Sequence, residues 1–410
     1  MQGFPLDGIR VADFTQTFLG PHLCEWLAVM GAEVIKIESK AWIDNVRLAN
    51  PYVSGKFDPK RAQNLNVGTI FTVLNLSKKS CTLNLKQPKA VELAKKIISM
   101  SDIVVDNYSA RVMDRMGLGY SVLKEIKPDI IMLSASAAGS EGPLSDLLGF
   151  ASVMDAWGGL DSLTGYLGGS PDATGHGGWT DLVVAKYGAF AILVALYHRS
   201  RTGEGQFIDL SMMDGVACRI PEAIMDYIIN RRVRKNIGNR DDIMAPHNCY
   251  PCRGEDKWVA IAVRTQEEWL AFCQAMGNPG WCQEERFANE LSRWNNQDEL
   301  DKLIGEWTRD YSHYEVMEIL QRAGVAAGPS YDIDELIRDP HLRERGFFVE
   351  IDQPEMGKTW PILPWKQTAT FKGNYQPAPQ LGQHNDYVFG ELLGMPQDEI
   401  ARLAEEKVIF

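Results

Sequence analysis

Residues 6–39 read LDGIRVADFTQTFLGPHLCEWLAVMGAEVIKIES, and the periodicity of this stretch sets the fold class. Residues 9–14 are a short apolar, β-rich run, residues 21–30 repeat apolar side chains at helical spacing behind an opening proline, and residues 33–37 are a second β-rich run. The alternation continues, with a helix expected over 90–100 and strands over 103–106 and 130–134. Strands separated by helices imply an α/β fold, a parallel sheet with helices on both faces. Ligands of such sheets bind beyond the carboxyl ends of the strands, which directs attention to the loops 15–20, 39–47 and 107–115.

Further along, residues 158–180 are glycine-rich and irregular, and residues 181–200 form a strongly apolar helix stopped by Thr202-Gly203-Glu204-Gly205. A strand over 206–211 and a helix to about 229 follow. The polar, basic segment 231–246 reads as a linker or arm. A strand-like run over 257–263 and helical runs from 266 to about 324 suit a smaller mixed lobe, and a last helix is expected near 387–406.

At 410 residues with 45% hydrophobic and 23% charged side chains, the chain supports two cored domains. A net charge of -12 argues against a nucleic-acid partner, since phosphate backbones demand a basic surface. Residues 1–140 nevertheless hold 17 Lys and Arg against 13 Asp and Glu, a local excess that permits an anionic ligand there. The N-terminal stretch has no basic region followed by an apolar run, and no segment is read as a membrane span, so the expectation is a cytoplasmic protein without a membrane partner. Seven cysteines do not read as a disulfide framework. Cys249 and Cys252 lack a second pair at matching spacing, Cys273 and Cys282 being separated by eight intervening residues, so no metal site is expected.

No Gly-x-Gly-x-x-Gly follows the first strand, and neither a phosphate loop nor a Gly-x-Ser-x-Gly elbow is present. What the chain offers is a series of phrases: LDGIRVADFTQTFLGP, LAVMGAEVIKIES, LNLSKKSCTLNLK, DIVVDNYSARVMDRMGLGY, GGWTDLVVAKYGAFAILVALYHRSRTGEGQFIDLSMMDG and LGQHNDYVFGELLG. Together, and in this order, they resemble the successive signatures of the class III CoA-transferases of the CaiB/BaiF type, over about residues 5–395. The resemblance implies a Rossmann-like large domain, a small α/β domain and an interlocked dimer. It implies boundaries at 1–200 for the first part of the large domain, 201–224 for a linker, 225–325 for the small domain, and 326–410 for a second linker and the return to the large domain.

An Asp opening an apolar helix is ordinarily a capping residue. The resemblance instead places Asp181 where the family's nucleophilic aspartate stands, with Gly177 and Gly178 before it to let a thioester approach the backbone. The helix N-terminus is expected to keep that carboxylate ionised. Carried over position by position, CoA contacts fall on Thr15, Gln16 and Thr17 after the first strand, on Lys36 and Glu38 at the end of the second, on Arg47, Asn75, Lys78 and Lys79, and on Asn107, Tyr108, Arg115 and Met116. Taken singly, each cation reads as a solvated charge and Tyr108 as a core aromatic. Trp179, with Trp157, flanks the glycine-rich stretch and would line an acyl pocket or serve packing.

Two departures matter. The flexible glycine run of the formyl-CoA branch has no counterpart between Arg231 and Lys257, which disfavours oxalate. At position 150 the chain has Phe150, a substrate-lining candidate, where the racemase branch has a catalytic His. The implied reaction moves CoA from an acyl-CoA donor such as succinyl-CoA to an aromatic or dicarboxylic acid of benzylsuccinate type, with CoA thioesters as substrates and no permanently bound cofactor. The rivals are a 2-methylacyl-CoA racemase and a non-catalytic CoA-binding subunit. Expected partners are a second copy of the chain or a similar subunit.

Overall fold

The computed structural model describes residues 3–48, 52–53, 56–170, 179–354, 356–361 and 373–410. Its central feature is a sheet of six strands, β1 Arg10–Asp13, β2 Glu33–Glu38, β3 Lys79–Thr82, β4 Ile103–Asp106, β5 Ile131–Ser136 and β6 Phe207–Ser211. They lie in the order β3-β2-β1-β4-β5-β6, every pairing parallel. Both faces of the central strands are covered: Val104 and Val105 of β4 and Ile35 of β2 have no exposure. The chain moves outward from β1 through β2 to β3, then returns to lay β4 on the other side of β1. Such a reversal opens a crevice at the carboxyl ends of β1 and β4, the place where doubly wound sheets bind ligands.

One face of the sheet is covered by the helix Pro88–Ser99, opened by a proline at its first turn, and by the C-terminal segment, whose Val388, Phe389, Leu403 and Val408 join Leu93 and Ile97 in one core. Asn385 Oδ1 accepts the Thr82 N–H at 2.9 Å and so ties this segment to the edge strand β3. On the other face, the helices Leu19–Val29 and Trp179–Thr202 share a core that includes Leu23, Leu27, Val184 and Ile192. Gly188 is small because the helices touch: a Cβ there would lie 2.3 Å from Leu23 Cδ1.

The helix Trp179–Thr202 corrects one reading. With 24 residues and a mean hydropathy of 1.5 over its most apolar window, it has the length and composition of a membrane span. Its buried residues Val184, Ala185, Gly188, Ala189, Ile192 and Ala195 form a helical stripe on the sheet core, which accounts for part of the apolar composition, while Phe190, Val194 and Tyr197 stay exposed.

The large unit comprises residues 1–160, 175–231 and 346–410, and a second unit comprises 161–174 and 232–345. Residues 201–224 are therefore no linker: they contain β6, which pairs with β5 and completes the sheet, and the helix Met212–Ala217. The second unit has a three-stranded antiparallel sheet of β7 His247–Pro251, β8 Trp258–Ala262 and β9 Ala326–Ser330, so it extends past 325. Trp269, Phe272, Phe287, Leu300, Ile304 and Leu320 form its core, and full capping boxes at Thr265/Glu268 and Ser312/Glu315 start two of its helices.

Candidate active site

Beneath the crevice lies a buried network of charges. Lys78 Nζ is 2.9 Å from Asp13 Oδ2 and also donates to Pro21 O and Asn75 Oδ1. Lys36 Nζ donates to Thr15 O at 2.7 Å and stands 3.7 Å from Asp44 Oδ2. Arg47 forks onto Glu38 through Nε and Nη2, each at 2.6 Å, while its guanidinium lies 3.6 Å from the Phe71 ring centre. Three cations face three carboxylates, all out of water, and each cation has a carboxylate within 3.7 Å, although Asp44 Oδ2 itself accepts no hydrogen bond.

This network fixes the loop after β1. Asp13 Oδ1 accepts from both the backbone N–H and the hydroxyl of Thr15. Thr17 adopts φ +69°, an uncommon conformation for a β-branched residue, with its N–H donating to Asp44 Oδ1 at 3.1 Å. Gln16 and Asn107 exchange two hydrogen bonds, Gln16 N–H to Asn107 Oδ1 at 2.8 Å and Asn107 Nδ2 to Gln16 O at 2.7 Å, locking the β1 loop to the β4 loop across the reversal.

Above these loops is a cavity of about 330 Å³ whose lining includes Thr17, Asn107, Tyr108, Ser136, Phe150, Asp181 and Met212. Asp181, in the first turn of Trp179–Thr202, is partly buried and accepts the backbone N–H of Leu19, the first residue of the helix Leu19–Val29. A helix's first N–H groups have no partner within the helix, so the carboxylate fills a real vacancy in bonding. The expectation of a readily ionised carboxylate is corrected here: burial, reinforced by the nearby Asp155, pushes Asp181 up to about 7. Asp155 in turn accepts the Thr180 hydroxyl.

Residues 6–385 match the family model described as CoA-transferase family III. The chain belongs to that family. It is 33% identical over 411 residues to the succinyl-CoA–D-citramalate CoA-transferase of Chloroflexus aurantiacus, covering 99% of this chain and 98% of that one. It is 30% identical over 410 residues to the beta subunit of that organism's succinyl-CoA–L-malate CoA-transferase, with coverages of 99% and 98%. A solved CAIB/BAIF family protein from Brucella suis superposes with a TM-score of 0.85 at 26% identity, covering 95% of this chain and all of that one.

For a CoA-transferase of this family, the structure divides the residues singled out in the sequence. Thr17, Asn107, Tyr108, Phe150 and Asp181 meet in one cavity. Lys36, Arg47 and Lys78 do not face it as free cations, and with Glu38, Asn75 and Thr15 they build the support beneath it. Their charges are already met by carboxylates of the fold. Lys79 borders a separate cavity of about 470 Å³ with Gln376 and His384. Arg115 is exposed, while Met116 is partly buried and packs, like Tyr108 and Tyr120, against the core under the sheet. Trp179 begins the Asp181 helix and is 55% exposed. Gly177 and Gly178 lie outside the described residues.

Ser136 and Met212 went unnoticed in the sequence, although each follows or ends a strand. Ser136 closes β5 and Met212 directly follows β6, the positions at which a parallel sheet presents side chains to a ligand. Among the described residues, no three His, Cys, Asp or Glu side chains converge on a point where a metal ion would sit.

Proposed function

We propose that this CoA-transferase moves CoA from succinyl-CoA to a small dicarboxylic acid, with Asp181 carrying the acyl group. The observation behind this reading is a partly buried carboxylate that lines the crevice cavity and accepts a helix-terminal N–H. The relatives supply the substrate class, since two of them are named for succinyl-CoA paired with citramalate or malate. An aromatic acid of benzylsuccinate type remains within that class, and Phe150 and Met212 offer it apolar surface.

The Asp181 carboxylate attacks the thioester carbonyl; the C–S bond breaks, CoA thiolate departs and a mixed anhydride remains. The thiolate then attacks the aspartyl carbonyl, releasing succinate and leaving an aspartyl-CoA thioester. The acceptor carboxylate displaces the thiolate to form a second anhydride, and return of the thiolate to the acceptor's carbonyl yields the new acyl-CoA and restores Asp181. The Leu19 N–H, which donates to Asp181, offsets negative charge in the two steps whose tetrahedral centre forms on the aspartyl carbonyl. The pantetheine arm runs past the backbone of Thr15, Gln16 and Thr17 and past Asn107 and Tyr108. Lys79, Arg115 and Met116 serve the nucleotide end and Trp179 borders the acyl group, the role that the family resemblance also assigns to Gly177 and Gly178.

The working assembly is a homodimer, or a pair with a similar subunit. Tyr187, Phe190, Val194 and Tyr197 form an exposed apolar stripe on the helix Trp179–Thr202, and Ile228 and Ile229 expose further apolar surface on Pro221–Asn230.

The test is interception. Incubation with succinyl-CoA, then hydroxylamine or borohydride, should modify Asp181 alone by mass spectrometry, and Asp181→Ala should abolish transfer to every acid in a dicarboxylic panel. Modification of another acidic residue, or transfer by the Ala variant, would refute the assignment.

A further inference from the structure

We propose that Ser136 is the hydrogen-bond donor that recognises the second carboxylate of a dicarboxylic acyl group bound beside Asp181, an inference that rests on the transferase reading above. Ser136 is only 6% exposed, and its Oγ has no hydrogen-bond partner among the described residues. A hydroxyl withdrawn from water without a partner is unfavourable, and such groups in folded proteins call for an explanation. A ligand supplies one.

The neighbouring serine sharpens the point. Ser134 lies two residues earlier on β5, hence on the same face of the strand, and its hydroxyl donates to Asp106. Ser136 has no such carboxylate from the protein. It lines the 330 Å³ cavity that contains Asp181 and also an adjoining polar cavity of about 420 Å³ floored by Ser134 and Asp106. Asp106 is itself pushed up to about 7 by burial, so near neutral pH this neighbour is not fully charged and repels an incoming anion less.

The composition of the Asp181 cavity explains why a hydroxyl would be used. Its described lining contains no Lys, Arg or His, so a second carboxylate there must be met by neutral donors. Asn107 Nδ2 gives one of its two N–H groups to Gln16 O at 2.7 Å and the Thr17 hydroxyl donates to Asn45 Oδ1 at 3.3 Å, while Asn45, Tyr108 and Ser109 are further neutral donors in the lining but none of them is buried as Ser136 is. The Ser136 hydroxyl is buried and unengaged, its residue shares the lining with Asp181, and a turn about the Ser136 Cα–Cβ bond is what would bring the hydroxyl to a ligand there.

The experiment compares succinyl-CoA with butyryl-CoA, which has an acyl chain of equal length ending in methyl rather than carboxylate. Binding of each to Asp181→Ala protein, which cannot turn over, is measured by calorimetry with and without a second change, Ser136→Ala. Losing a hydrogen bond to a charged group should weaken succinyl-CoA about tenfold and leave butyryl-CoA within about twofold. Ser136→Thr, which keeps the hydroxyl, should retain most of the preference for succinyl-CoA. Equal weakening of both esters would move the hydroxyl's role to the shared thioester or to the fold, and unchanged binding of both would remove it from recognition; either result overturns the proposal. Because these measurements need no transfer, a wild-type protein that transfers CoA to no acid would refute the reaction separately, whatever the binding comparison shows.

Discussion

The Lys78 ammonium stands 2.9 Å from Asp13 Oδ2, with neither side chain exposed. Lys78 and Lys36 together outweigh the effect of burial and hold the Asp13 carboxyl below its usual value of 3.8. The pair's contribution is therefore complete at neutral pH and fades as pH falls through that lowered value. Since Asp13 also positions Thr15, the pair links the stability of the sheet to the shape of the β1 loop.

Lys78→Met removes the one cation hydrogen-bonded to the buried Asp13 carboxylate, leaving the more distant Lys36 charge and the Thr15 donors, and should lower stability by about 3–5 kcal/mol in urea denaturation at pH 7. CoA affinity of the remaining folded protein should change little. A lysine reserved for a phosphate of CoA would give the opposite pattern, with normal stability and weak CoA binding.

Asp181 makes a prediction of opposite sign. Its folded-state value is raised from 3.8 to about 7, so the folded protein binds this proton more tightly than the unfolded chain and loses stability as pH rises between those values. Asp181→Asn removes the ionisation and should raise the melting temperature by a larger margin at pH 8 than at pH 5. Transfer by the wild-type protein should have the reverse dependence, kcat/KM climbing through about pH 7 as the nucleophilic carboxylate forms. A flat kcat/KM between pH 5.5 and 8 would remove Asp181 as the titrating nucleophile.

How much of this was legible in the sequence follows from range. The first strand, helix and strand were expected at 9–14, 21–30 and 33–37, and the structure has them at Arg10–Asp13, Leu19–Val29 and Glu33–Glu38, because each is a local periodicity. The edge strand Lys79–Thr82 went unassigned: KSCT has little apolar pattern, and its burial comes from β2 and the C-terminal segment about 300 residues away. The charges show the same limit. Lys36, Arg47 and Lys78 read as ligand-facing cations, yet the sequence does not show that Asp13, 65 residues from Lys78, is its partner. Asp181 and Phe150 were found through the family's phrases, whereas Ser136, at the end of an ordinary buried strand, had no local pattern to mark it.

The last prediction separates CoA transfer from racemisation on this fold. Inverting an α-carbon requires one group to take a proton and another to return one on the opposite face, so two acid/base side chains must bracket that carbon. Asp181 supplies one such group in the cavity. The position where the racemase branch has His is occupied by Phe150, which lines the same cavity and cannot exchange a proton, and His176 lies outside the described residues. CoA transfer needs one carboxylate and donors for the developing oxyanion, and the carboxylate proposed for it is Asp181, which lines the cavity and accepts the Leu19 N–H. In heavy water, a 2-methylacyl-CoA should take up no deuterium at its α-carbon, while CoA should pass measurably from succinyl-CoA to an added dicarboxylic acid. Phe150→His should leave that α-carbon unlabelled as well, since a histidine added without its supporting hydrogen bonds lacks a fixed position for proton delivery. Rapid α-deuteration that depends on Asp181, with no transfer to any acid in the panel, would assign the chain to the racemase branch instead.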